Sequence, residues 1–232
     1  MAKLLLTLLI LLTYSNLPVI AQNANEHPIK KQLLLKTQNS QFKLAQKYFK
    51  QGNSFVEQKQ WQLGLIAYTR AIKINPDFAL AYNNLGFVYY NLNDWTLALK
   101  NYDRAIDLNP NLALAYNNRG LVYLKQNHFK LALLDFNKSS ELDPNSVQLF
   151  ANRGFLYYQQ KKWQLALDDF NKSTQINPQL PEIYILRSLV WLKLNNPSKS
   201  LNDLQFAEQL FQQQNNQIGL KRIKYLLNNF PQ

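Results

Sequence analysis

A chain of 232 residues with 47% hydrophobic content, six glycines and nine prolines can bury the core of one or two ordinary domains, which excludes a disordered tail and collagen-like or low-complexity architectures. It contains no cysteine, so disulfides, thiolate metal sites and a cysteine-based lipid anchor are excluded as well. The net charge of +12 is uneven: residues 22–78 carry nine positive and three negative side chains, residues 79–180 ten and eight, so the excess lies towards the ends.

In chain order, Met1 to Ala21 has a charged start at Lys3, an apolar run from Leu4 to Leu12 broken only by Thr7, and Val19-Ile20-Ala21 at its end. This is the pattern of a secretory signal peptide cut before Gln22, which implies export to a periplasm, an extracytoplasmic lumen or the exterior. An uncleaved anchor is the alternative reading. Against it, the uncharged stretch is marginal for a span of about 20 residues and Pro18 interrupts it; cleavage leaves no integral span. Residues 22–38 read as a loosely ordered linker, with Asn39 or Ser40 capping the first helix. Lys30, Lys31, Lys36, Lys43, Lys47 and Lys50 offer either a basic patch for an acidic partner or membrane surface, or simply a solvated face.

Residues 39–232 form one domain, most of which repeats itself. Asn75-Pro76, Asn109-Pro110, Asp143-Pro144 and Asn177-Pro178 recur every 34 residues, as do Gly52, Gly86, Gly120 and Gly154. Trp61, Trp95, Phe129 and Trp163 keep the same period, and so do Tyr68, Tyr102, Phe136 and Phe170. The units span 45–78, 79–112, 113–146 and 147–180, with a degenerate fifth at 181–214. Each holds two apolar helical patterns separated by a turn, where Asn93, Asn127 or Asn195 can adopt a left-handed conformation. Each unit is therefore a helical hairpin, with Gly at position 8 and Ala at position 20 small where the helices cross, aromatics filling the space between, and Pro suited to the first turn of the next helix. Arg119, Arg153 and Arg187 at position 7 accompany Asp135, Asp169 and Asp203 at position 23, whereas repeats with Gln51 and Leu85 have Ala67 and Asn101, so ion pairs are expected. A terminal segment at about 215–230 interleaves Ile218, Ile223, Leu226, Leu227 and Phe230 with Lys221, Arg222 and Lys224, the pattern of an amphipathic helix capping the last hairpin.

These residues resemble the tetratricopeptide repeats. Tyr82, Gly86, Tyr89, Ala98, Tyr102, Ala105 and Pro110 of the second unit meet that family's pattern best. The resemblance implies an all-α fold, a right-handed α-solenoid of helix-turn-helix repeats, closed by a C-terminal capping helix. It also implies a concave face lined by the first helix of each unit at positions 2, 5, 9, 12 and 13. On this sequence those positions point to Phe49, Asn53, Asn83, Phe87, Tyr90, Asn117, Leu121, Leu124, Lys125, Phe155, Tyr158, Gln159, Leu189 and Leu192. Such a trough suits an extended or helical peptide, with apolar anchors and asparagine amides for its backbone. Position 12 also fits packing against the neighbouring hairpin. The carboxylate clamp of some family members, which bind the acidic ends of chaperones, is broken here by Phe49, Leu114 and Asn118. Asn84, Asn118 and Asn152 read as ordinary residues of the fold.

No catalytic site is legible. His27 and His128 are far apart in sequence and context, and Asp168 and Asp169 point in different directions on one helix. No Gly-rich phosphate loop is present, and no cofactor or metal is expected. The expectation is a non-enzymatic, exported interaction module or scaffold with a protein or peptide partner and no nucleic acid. Binding of a polyanion or anionic surface through the basic terminal regions is the alternative. The sequence leaves the partner and the oligomeric state open.

Overall fold

The computed structural model describes residues 28–230, so the expected signal peptide and residues 22–27 of the expected linker lie outside the described residues. Described are eleven helices: α1 (Pro28–Glu57), α2 (Trp61–Ile74), α3 (Ala79–Asn91), α4 (Trp95–Leu108), α5 (Ala113–Lys125), α6 (Phe129–Leu142), α7 (Val147–Gln159), α8 (Trp163–Ile176), α9 (Pro181–Lys193), α10 (Pro197–Gln213) and α11 (Gln217–Asn228). Among the described residues there is no strand. The chain divides into two units, one ending at Lys43 and one beginning at Leu44.

In the first unit, residues 28–43 are helical, which corrects the expected linker at 22–38 and its cap at Asn39 or Ser40. The Ser40 hydroxyl instead donates to the Thr37 carbonyl within the helix. Pro28 stands at the helix start, where its missing N–H costs nothing, and no Gly or Pro interrupts residues 29–51.

The second unit is the expected all-α solenoid. Each first helix packs on the second helix of its hairpin, and each second helix packs on the following hairpin. The hairpin turns close in a recurring way. The amides of Gln60, Asp94, His128, Lys162 and Asn196 donate at 2.8–2.9 Å to the carbonyls of Phe55, Tyr89, Tyr123, Tyr157 and Trp191. The residue before each amide has positive φ: Asn93, Asn127 and Asn195 as expected, and also Lys59 and Lys161. Between repeats the prolines 76, 110, 144 and 178 sit in turns before the helices rather than in a first helical turn. There the side-chain oxygens of Asn75, Asn109, Asp143 and Asn177 accept from the amides two residues on.

Within each hairpin, the expected small residue at position 8 meets a ring. A Cβ on Gly52, Gly86, Gly120 or Gly154 would lie 2.4–2.9 Å from Tyr68, Tyr102, Phe136 or Phe170, all of which are fully buried. The last hairpin is covered as expected by α11, whose Ile223 is buried among Tyr184, Ile185, Leu204, Leu210 and Phe211. Leu220, Leu226, Leu227 and Phe230 pack beside it. Ile218 departs from the expectation: it is 85% exposed, because it falls on the opposite face of α11.

Candidate binding groove

The first helices of the repeats line one side of the solenoid, and between them lies a cavity of about 680 Å³. Its wall takes Asn53, Val56 and Glu57 from α1, Phe87 from α3, Leu114 and Leu121 from α5, Gln148 from α7 and Ile183 from α9. A second hollow of about 460 Å³ takes Leu121, Leu124, Lys125, Phe155 and Gln159. The structure thus brings together Asn53, Asn83, Phe87, Asn117, Leu121, Leu124, Lys125, Phe155 and Gln159 of the expected residues around these two adjoining hollows, which share Leu121.

The remaining expected residues do other things. The Phe49 ring packs on Tyr68 and Phe78, with centroids 5.7 and 4.8 Å away. Tyr90 is half-buried against Ala98, Tyr102 and Val122, and Tyr158 packs on Trp163 at 5.3 Å. These two stand at position 12, where packing against the neighbouring hairpin takes precedence over ligand access. Leu189 is exposed and Leu192 half-buried, and neither lines the two hollows.

Asn83 and Asn117, expected to offer amides to a ligand, are 1% and 4% exposed. Both are hydrogen-bonded inside the fold. Asn118 Nδ2 donates to Asn83 Oδ1 and Asn152 Nδ2 to Asn117 Oδ1, each at 3.0 Å, joining each repeat to the next. The first repeat has Phe49 where the later ones have these acceptors, so Asn84 Nδ2 turns to Asn53 Oδ1, 3.0 Å away, which also accepts from the Tyr68 hydroxyl at 2.7 Å. Burial pushes the Tyr68 phenol up. The ladder ends where the fourth and fifth repeats carry Ala151 and Leu186 instead. The Asn83 and Asn117 amides at the floor of the trough are therefore engaged within the fold, and its exposed contacts are Phe87 and Phe155, 36% and 37% exposed, with Leu114, the amides of Gln148 and Gln159 and the charges of Glu57 and Lys125. Leu114 and Gln148 stand at position 2 and were legible from the same repeat register.

The expected ion pairs form within repeats. Arg119, Arg153 and Arg187 each grip Asp135, Asp169 and Asp203 through Nε and Nη2, at 2.6–2.9 Å. Nη1 of each reaches back to the preceding repeat, to Asp103, Asn137 or Asn171. Each guanidinium also lies over the ring of Tyr116, Phe150 or Tyr184, at 5.1–5.6 Å. Hydrogen bonds to Asp135 and Asp169 push Arg119 and Arg153 further up from an already high value. Burial raises the Asp169 carboxyl against the pull of Arg153. These arginines are joints between hairpins. Asp168 accepts from Gln164 instead, and His128 sits exposed at a hairpin turn beside Tyr123. Among the described residues no group of three or more His, Cys, Asp or Glu is placed to hold a metal ion. Nor is any helix among them long and apolar enough to cross a membrane.

Stacked hairpins with a trough along their first helices define a helical-repeat binding scaffold. Sequence comparison matches residues 52–93 and 88–127 to "TPR repeat", and residues 113–146 and 147–180 to "Tetratricopeptide repeat". The matches run over more than half of the chain, and the chain belongs to the tetratricopeptide-repeat family, whose members are protein-interaction modules. The curated proteins yield no match. Among solved structures, the chain is similar to a thermophilic TPR protein of Thermus thermophilus at 17% identity and TM-score 0.69, covering 79% of this chain and 98% of that one. It is similar to PilF of Pseudomonas aeruginosa at 19% identity and TM-score 0.66, covering 81% and 92%. It is also similar to YrrB, described as a TPR protein with an unusual peptide-binding site, at 20% identity and TM-score 0.55, covering 86% and 99%. At these identities the likeness concerns the fold.

Proposed function

We propose that this protein is an exported, non-enzymatic interaction module or assembly scaffold that holds an extended segment of a partner protein in the trough. The observation that carries the reading is the pair of exposed rings, Phe87 and Phe155, over a floor whose amides are already bonded. Apolar anchors of the ligand would supply the affinity, with the exposed amides of Gln148 and Gln159 left for its backbone. The peptide-binding site described for YrrB supports the reading by fold analogy alone. Export rests on the pattern of Met1 to Ala21, and mass spectrometry of protein recovered from an extracytoplasmic fraction should find a chain beginning at Gln22. A chain that keeps Met1 overturns cleavage.

The groove is tested by selecting binders from a displayed peptide library and measuring them against a Phe87→Glu, Phe155→Glu variant. Tyr90 is left intact, since its ring packs in the hairpin interior. Retained helicity with at least a tenfold loss of affinity is expected, because two aromatic anchors covered by the ligand contribute more than the 1.4 kcal/mol that about tenfold requires. Unchanged affinity would sink the reading.

A second reading is association with an anionic surface through the basic terminal regions. It is favoured by exposed Lys36, Lys43, Lys47 and Lys50 in α1 and by exposed Lys221, Arg222 and Lys224 in α11. It predicts binding that weakens steeply with salt.

A further inference from the structure

The outward face of α11 carries exposed apolar and cationic side chains together. Ile218 is 85% exposed and Tyr225 69%, the two most exposed large apolar side chains among the described residues. They stand seven residues apart, two helical turns, with Lys221 and Arg222 between them on the same face. The four side chains border one shallow, open surface together with Gln217. The opposite face is committed to the last hairpin through Gly219, Ile223 and Leu227. Asn216 caps the helix start by accepting from the Gly219 amide at 2.8 Å.

Charge narrows the occupant. From Gln209 to Gln232 the sequence has no acidic residue, against Lys221, Arg222 and Lys224. A second copy docked through the same face would set these cations against each other. The exposed lysines of α1 make that helix an equally poor partner. A protein interface needs roughly 800 Å² from each side, far more than a single helical stripe of four side chains provides. An aliphatic tip and a tyrosine flanked by long cationic side chains fit a membrane interface, where the apolar tips sink to headgroup level and the cations meet lipid phosphates.

We propose that the face formed by Ile218, Lys221, Arg222 and Tyr225 docks on an anionic lipid surface. The inference rests on the second reading above and gives it a location; it is independent of the groove. Docked this way, the solenoid is held by its end hairpin, and the trough along the first helices stays free.

Because the chain has no cysteine, a single Tyr225→Cys substitution carries one environment-sensitive dye on the full protein. Vesicles of phosphatidylcholine alone and of phosphatidylcholine with phosphatidylglycerol are compared by co-sedimentation and by dye emission, some containing spin-labelled lipid as quencher. A blue shift and quenching only with anionic vesicles are expected. Lys221→Gln with Arg222→Gln should weaken partitioning about twenty-five-fold, about fivefold for each cation near an anionic surface. Ile218→Ser on the labelled protein should abolish the blue shift, while circular dichroism stays unchanged. Sedimentation with a silent dye places docking elsewhere: it overturns this inference and leaves the second reading standing. Without sedimentation both fall, and a dye that responds only to an acidic soluble protein overturns the lipid assignment.

Discussion

At the scale of single residues, the places where one repeat departs from its siblings carry measurable energy. Ser200 occupies position 20, where the second to fourth repeats have Ala98, Ala132 and Ala166, and its buried hydroxyl has no hydrogen-bond partner. Ser200→Ala should therefore stabilise the protein by about 1 kcal/mol, seen as a raised denaturant midpoint with an unchanged slope. Lower stability would mean that the hydroxyl is satisfied. Lys161 holds φ of 59° in a hairpin turn where its counterparts Asn93 and Asn127 hold 62° and 59°. Asparagine tolerates that region through its short side chain, so Lys161→Asn should stabilise by about 0.5 kcal/mol. The converse change, Asn127→Val, should cost about 1–2 kcal/mol because a β-branched residue is strained there. The three asparagines were legible as turn residues and the two lysines were not, since nothing in a lysine advertises a left-handed backbone.

At the scale of the hairpin, two devices join helices, and they differ in how far the sequence revealed them. The small residue at position 8 was readable from its 34-residue recurrence; its contact with the ring at position 24 needed the structure. A Cβ at Gly154 would stand 2.9 Å from Phe170, so Gly154→Ala should cost about 1–3 kcal/mol, and Phe170→Leu in the same chain should restore part of it. The Arg–Asp pairs were readable because both residues appear and vanish together. The third contact, to Asp103, Asn137 or Asn171, was not, because that position changes residue type. With Arg153 and Asp169 only 18% and 8% exposed, Asp169→Asn should cost about 2 kcal/mol by leaving the guanidinium underpaired. Arg153→Leu with Asp169→Asn should then cost less than the two single changes summed, giving a coupling of about 1–2 kcal/mol. A coupling near zero in denaturant melts would reduce the pair to a consequence of repeat duplication. The amide ladder was hidden altogether: its asparagines are common in this fold, and only the structure shows that each amide serves the neighbouring repeat and ties up Asn83 and Asn117.

At the scale of the whole solenoid, contacts run from each hairpin to its neighbours and stability is close to a sum of local terms. That is why a 34-residue period sufficed to read the fold of residues 45–214, while the start of α1 was placed too late: outside the period, a helix from Pro28 had only local signals to announce it. The same locality makes the end cap decisive for one end alone. Ile223 is fully buried against α9 and α10, so Ile223→Asp places an unpaired carboxylate among Tyr184, Leu204, Leu210 and Phe211. The cost, of about 3 kcal/mol or more, falls on the contacts of α11 and propagates only as far as the hairpin it covers. Hydrogen exchange should then show lost protection in α10 and α11, a weaker loss in α9, and unchanged protection in α3 to α6. If protection falls uniformly along the chain, the repeats unfold as one cooperative block and the additive picture is wrong. If it falls only in α11, the fifth hairpin is self-sufficient, and the helix that covers it is dispensable for the fold.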